Sequence, residues 1–424
     1  MLFSENSEKL MKFFMDNFDD FDSFIIKKTA HKQKNLDSML RTLYNDILRA
    51  DNFVKLLNKS GKIKIVLKEV NNYSEMPKTS HMDSTYVMET ARNYVKQNTK
   101  GYIECNVKID SRMIYIYFPI FSDADFNNLK KYHTYFHWML VWLKVANFYS
   151  NRRCAKELKV FCFLTPFKKL LPHSQLMVLS PENCNTGVTT SCTGKGEICI
   201  YREEEFFKVF IHESFHILGL DFSGMNISKL KERMFGLFPI KSEFEMHETY
   251  TEFWAELMNC LFCSYRLLDN KKDMKTFLIY ADFCLRFEKI FSLFQMIKIL
   301  NFMGCHYTNL FNIDDSSIMI RKCLYKEKTN IFPYYIAKVI LLYNDLSFIS
   351  WCKRNNNNLL EFKKNEETTI SFFDFISDNY RNSRMLNDID NMASFLDKVS
   401  KKSSSKDKKF LLETLRMSII EMRV

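Results

Sequence analysis

The stretch FFKVFIHESFHILGLDF, residues 206–222, places His212 and His216 four positions apart around Glu213, in a chain with only nine histidines among 424 residues. The apolar spacing around them predicts a helix, and on a helix residues four apart lie on one face. Two imidazole nitrogens can then address one ion at about 2 Å. Glu213 follows His212 directly, which brings its carboxylate close to a water at that ion. The HExxH pattern therefore points to metal-assisted hydrolysis. The plain alternative is a pair of ordinary histidines on a core-facing helix. The position of the motif, mid-helix and soon after a strand-like stretch, favours the metal.

A catalytic zinc takes a third protein ligand. Downstream, EMHETYTEFWAELMNCLF (245–262) carries Glu248, Glu252 and Glu256 at i, i+4 and i+8, one acidic stripe of a helix. Residues 242–265 contain no Lys or Arg, so no cation on that helix balances the stripe. Like charges four apart destabilise a helix by a few tenths of a kcal/mol, and an ion or its histidine ligands would offset this. Glu252 is the expected ligand, with Glu256 one turn on supporting a ligand histidine. Asp221 is the local rival. HESFHILGLDF nearly completes the longer HExxHxxGxxH, but Phe222 stands where the last histidine would be, and a phenyl ring cannot ligate. Glu248 is a third candidate.

The charge balance is +11, with 61 Lys and Arg against 50 Asp and Glu. The lysines are spread along the chain, so a solvated surface is expected rather than nucleic-acid binding as the main role. No run of 18 uncharged apolar residues occurs, and the start lacks the pattern of a secretory signal. The twelve cysteines show no paired metal spacing, so reduced thiols and an intracellular, cytoplasmic protein are expected.

Residues 1–60 read as helical. Strands are expected at 62–70, in a hairpin at 102–119 turning near Asp110 and Ser111, at 157–164 and at 197–202. Between them fall helices at 84–97, capped by Ser84 or Asp83, and at 123–150. The active-site helix is expected over 203–219, with three glutamates in its first turn and Gly219 at C′. The next helix is expected to start at a capping box of Ser242 and Glu245. Residues 266–424 read as mostly helical, including the terminal KKFLLETLRMSIIEMRV, with the lysine-serine run at 398–409 as a linker. His133 and His137, also four apart, read as core histidines. So do Trp138 and Trp142 as core rings.

Residues 197–256 resemble a zincin-type metallopeptidase of the gluzincin branch. EICIYR is similar to the edge strand beside the active-site helix, and EFWAE to the second glutamate motif of that branch. HILGLDF also resembles the matrixin branch of the metzincins, from which it departs in lacking the third histidine. NTGVTTSC with YREEEFFKVFIHESFH further resembles uncharacterised zincin-like proteins of large DNA viruses. The resemblance implies an α+β, helix-rich fold. A zincin-like region (61–265) would combine a mixed sheet with a backing helix and an active-site helix, between helical regions 1–60 and 266–424. It implies Zn²⁺ held by His212, His216 and Glu252, with Glu213 as general base and Glu256 and Glu248 around them, acting on a protein or peptide substrate. Tyr250, His247 and His306 are candidates to stabilise the oxyanion. A virion or viral-factory location, with a virion or host protein as partner, would accompany the viral likeness. Two rival functions remain: a catalytically silent zincin-fold interaction protein and a basic nucleic-acid-associated factor.

Overall fold

The computed structural model describes residues 3–17, 30–401 and 406–423. Its centre is a six-stranded mixed sheet in the order β1-β2-β3-β4-β6-β5. The strands are β1 (Lys64–Glu69), β2 (Gly101–Ile109), β3 (Arg112–Ile120), β4 (Glu157–Cys162), β5 (Gly187–Thr189) and β6 (Lys195–Ile200). β1, β2 and β3 run antiparallel, β3, β4 and β6 run parallel, and β5 returns antiparallel on β6. The β2–β3 hairpin turns at Asp110, whose φ of 52° lies in the left-handed region that Asp tolerates better than most residues. β1 is mostly exposed and carries Lys64 and Lys68, which discourages edge pairing with another chain.

Both faces of the sheet are covered. Ile103, Ile116, Phe118, Val160 and Ile198 belong to the large core under the helices, while Tyr102, Tyr117, Phe161, Phe163 and Tyr201 form a smaller cluster with Val95 and Met88. The backing helix Leu129–Tyr149 is apolar nearly all round, as a helix packed on both sides must be. Its Trp142 stacks on Phe215 of the active-site helix at 5.9 Å. Trp142 is core as expected, and His137 is held by Asp51 at 2.8 Å. One continuous core runs from Leu10 to Ile420, through the sheet region and both helical ends.

Several local readings differ from the sequence expectation. The helix expected at 84–97 starts at Glu89 without a side-chain cap. The active-site helix spans Phe206–Ile217, so the three glutamates precede it, with Glu205 as a left-handed N-cap at φ 59°. Gly219 does take the left-handed C′ position, at φ 69°. The glutamate helix spans Met246–Leu267, and Ser242 lies outside it without a capping role. The sheet does not end at 197–202. β5 was hidden in a polar stretch and is the outer strand next to the active-site helix.

The terminal amphipathic stretch is helical only over Lys406–Glu413. Residues 414–423 instead run as a strap through the core, because buried side chains capture their peptide groups. Glu205 accepts the N–H of Met417 and Ser418, Glu288 accepts those of Ile419 and Ile420, and Gln295 donates to the Arg416 carbonyl. Uniformly reduced thiols are not found either. Cys154 and Cys192 form a disulfide, while of the ten free cysteines all but Cys323 are buried. Among the described residues, no helix is long and apolar enough to cross a membrane. Of the 398–409 linker, residues 402–405 lie outside the described residues.

Candidate active site

Two helices and the outer strand build the site. The active-site helix can approach the sheet closely because Gly196 on β6 leaves room for Ile217; a Cβ there would lie 2.6 Å from the Ile217 side chain. The glutamate helix packs alongside. The facing stripes then meet in opposite directions: Lys208, His212 and His216 on one, Glu256, Glu252 and Glu248 on the other.

His212 Nε2 and His216 Nε2 lie 3.1 Å apart. Glu248 Oε2 is 3.0 Å from the first and 3.4 Å from the second. These three side chains converge tightly enough to hold a metal ion. The remaining ring nitrogens point the other way. His212 Nδ1 donates to Glu252 Oε2 at 2.8 Å, and His216 Nδ1 donates to Asp221 Oδ2. A carboxylate on each Nδ1 fixes the tautomer and leaves each Nε2 lone pair for an ion.

The register thus differs by one helical turn from the sequence expectation. Glu248, not Glu252, faces both Nε2 atoms. Glu252 takes the supporting role expected of Glu256, and it also pairs with buried Lys208. Glu256 pairs with Lys338, which is equally buried. Asp221 supports His216 and accepts further hydrogen bonds from Ser223 and Thr251. A second convergence, His216 with Asp221 and His247, shares its histidine with the first, and Asp221 is already engaged by these donors. Phe222 is buried against Phe362, with ring centroids 4.4 Å apart.

Charge follows this arrangement. Burial alone would raise Glu252, but Lys208 and His212 hold it well below the usual carboxylate range. Glu248 and Asp221 are lowered in the same way, against burial, by the histidines. Glu213 differs. Burial pushes its carboxyl up, and the two imidazoles only partly oppose this. It lines the cleft beside β5, where a Cβ on Gly187 would come within 2.8 Å of Glu213 Oε1. Glycine is therefore required at 187 if Glu213 is to sit there.

The cleft above has a volume of about 580 Å³. β5 forms one wall, residues 243–245 and 327–330 line the opposite side, and Tyr334 lies over His212 with ring centroids 5.9 Å apart. Burial and the charges of Glu248 and Glu213 raise Tyr334 well above the ordinary phenol value, so its hydroxyl keeps its proton. Tyr334 sits in a π-helical turn, Phe332–Ala337, a distortion frequent at functional sites.

Among the expected oxyanion donors, Tyr250 points away and donates to the Leu360 carbonyl at 2.8 Å. His306 is paired with Asp390 at 3.4 Å. His247 is near, its ring 5.5 Å from that of His216. Tyr334 had no motif to mark it. The one trace in the sequence is a tyrosine pair directly after Pro333.

Comparison with known proteins finds no matching family model, no matching curated protein and no matching solved structure.

Proposed function

We propose that the chain is a zinc-dependent peptidase, with His212, His216 and Glu248 holding the ion and Glu213 as general base. The observation that carries this reading is the convergence of two Nε2 atoms and one carboxylate oxygen at the floor of a cleft. The donor set fits a borderline-soft divalent ion with one open position. Two nitrogens and an oxygen face one point, each imidazole is oriented by its own acid, and solvent reaches them from one side. When bound, zinc would polarise a carbonyl and acidify water near neutral pH.

The chain's own residues account for the other parts of the reaction. β5 offers a free outer edge along the cleft, to which an extended peptide can add as a strand. Glu213 takes a proton from the attacking water and delivers it to the departing amine. Its raised affinity for protons suits that double task. The C–N bond breaks, the water oxygen joins the acyl carbon, and both products leave with their protons accounted for. Tyr334 donates a hydrogen bond to the carbonyl oxygen as charge develops there.

The test is metal analysis together with peptide hydrolysis. Purified protein should carry one zinc per chain and cleave unfolded protein, and Glu213→Gln should keep the zinc and lose hydrolysis. Stoichiometric zinc without any cleavage would favour the silent interaction protein instead. No bound metal at all would remove the reading.

A further inference from the structure

A recess opens off the cleft beside Glu213, and it bears on which peptides the site accepts; the inference rests on the peptidase reading above. Gly187, His212, Glu213 and Tyr334 line both the cleft and the recess. The recess has a volume of about 30 Å³ against about 580 Å³ for the cleft. It can hold one or two water molecules, and hence a methyl or hydroxymethyl group, but not a branched or aromatic side chain.

Its inner walls are held in place. Val209, Thr186, Lys208 and Met417 are all buried. Lys208 is tied to Glu252. Met417 belongs to the strap: its N–H donates to Glu205 Oε1 at 3.1 Å, its carbonyl accepts from Lys338 at 3.2 Å, and its sulfur lies 3.6 Å from Lys208 Nζ. A bulky substrate group could enter only by displacing this strap or the ion pair, and overfilling a packed site is destabilising. The lining is polar as well as apolar, with Lys169, Asn185 and Glu252 beside Lys208. Thr186 Oγ1 is buried without a hydrogen-bond partner. A buried hydroxyl in that state is costly, but it is closed off from the recess, so it adds nothing to the size limit set by the walls.

We propose that the site hydrolyses peptide bonds flanked on one side by glycine, alanine or serine, the recess closed by Met417 and Val209 excluding larger side chains there. The open cleft imposes no such limit on the other flank.

Two measurements test this. Zinc-loaded protein is titrated with short peptides ending in a hydroxamate, with Gly, Ala, Ser, Val, Leu or Phe next to that group. In parallel, a mixed peptide library is digested and the cut bonds are sequenced. The small side chains should bind at least about tenfold tighter than Leu or Phe, since even one methylene is worth about 10–200-fold in a fitted pocket. Met417→Ala and Val209→Ala, each checked for wild-type zinc content, should extend acceptance to Val and Leu. Equal or tighter binding of Leu, no binding by any member, or a series unchanged in both variants overturns the proposal. Cuts between large residues on both sides would overturn it while leaving the peptidase reading intact. An uncut library with the expected hydroxamate series would overturn hydrolysis, and the proposal with it, leaving only the size limit of the recess.

Discussion

Replacing Glu248 and Glu252 separately should give opposite patterns, because the two carboxylates have different surroundings. The Glu252 side chain is 1% exposed and carries Lys208, itself 2% exposed. Glu252→Ala leaves that ammonium buried without its partner, at a cost of about 3–5 kcal/mol in stability. It also frees His212 Nδ1, and loss of such an orienting acid weakens metal binding about 10–100-fold, or ~1.4–2.8 kcal/mol. Glu248 is 13% exposed and faces three imidazoles, those of His212, His216 and His247, not a lysine. The two ligand imidazoles each keep their own acid, Glu252 on His212 and Asp221 on His216, so Glu248→Ala strands no unpaired charge and should cost less than about 2 kcal/mol in the metal-free protein. It should nevertheless lose more zinc affinity than Glu252→Ala, because it deletes a donor and not merely the support of one. Urea unfolding in excess chelator gives the stability, and zinc titration against a competing indicator gives the affinity. If Glu252→Ala loses the more zinc and the less stability, the assignment of roles is wrong.

Other consequences can be checked alongside. Gly187→Ala drives a methyl into Glu213 and Val209; kcat should fall about 100-fold or more while zinc content is unchanged, and full activity would mean that Glu213 does not act from this position. Tyr334→Phe should lower kcat about 10²–10³-fold with little change in KM, whereas an unaltered kcat would move the oxyanion role elsewhere, with His247 next in line. Asp221→Ala should weaken zinc about 10–100-fold through His216, and no change would mean that His216 is held otherwise. Glu288 is buried among the amides of the strap, and burial lifts its carboxyl to about 7. Between its ordinary value of 4.5 and 7 the unfolded chain releases this proton and the folded chain keeps it. The contribution of Glu288 to stability is therefore fully present below 4.5 and is lost as pH rises through 7, by roughly 3 kcal/mol. Glu288→Gln should flatten that decline, and parallel pH–stability curves for the two proteins would refute the assignment.

The sequence made the centre of the site legible, because two histidines and a glutamate at helical spacing are constrained by local geometry alone. The hairpin at Asp110, the backing helix and the C′ glycine at 219 were legible for the same reason. The third donor was not. Glu248, Glu252 and Glu256 repeat with period four, so sliding the helix by one turn, about 6 Å, presents a chemically identical face. The missing constraint was Lys208, four residues before His212. That lysine also needs an acid, and pairing it with Glu252 leaves Glu248 for the imidazoles. β5 was obscured by its length of three residues in a polar stretch. The strap was misread because its apolar spacing suits a helix, while its backbone partners, Glu205, Glu288 and Gln295, lie more than a hundred residues away.

Diffraction from zinc-soaked crystals, recorded on both sides of the zinc absorption edge, tests the central claim most directly. The expected result is one strong anomalous peak about 2.0–2.2 Å from His212 Nε2, His216 Nε2 and a Glu248 oxygen, with Glu252 and Asp221 still on the Nδ1 atoms. A peak bound to Glu252 or Asp221, or no peak between the two helices, would contradict it.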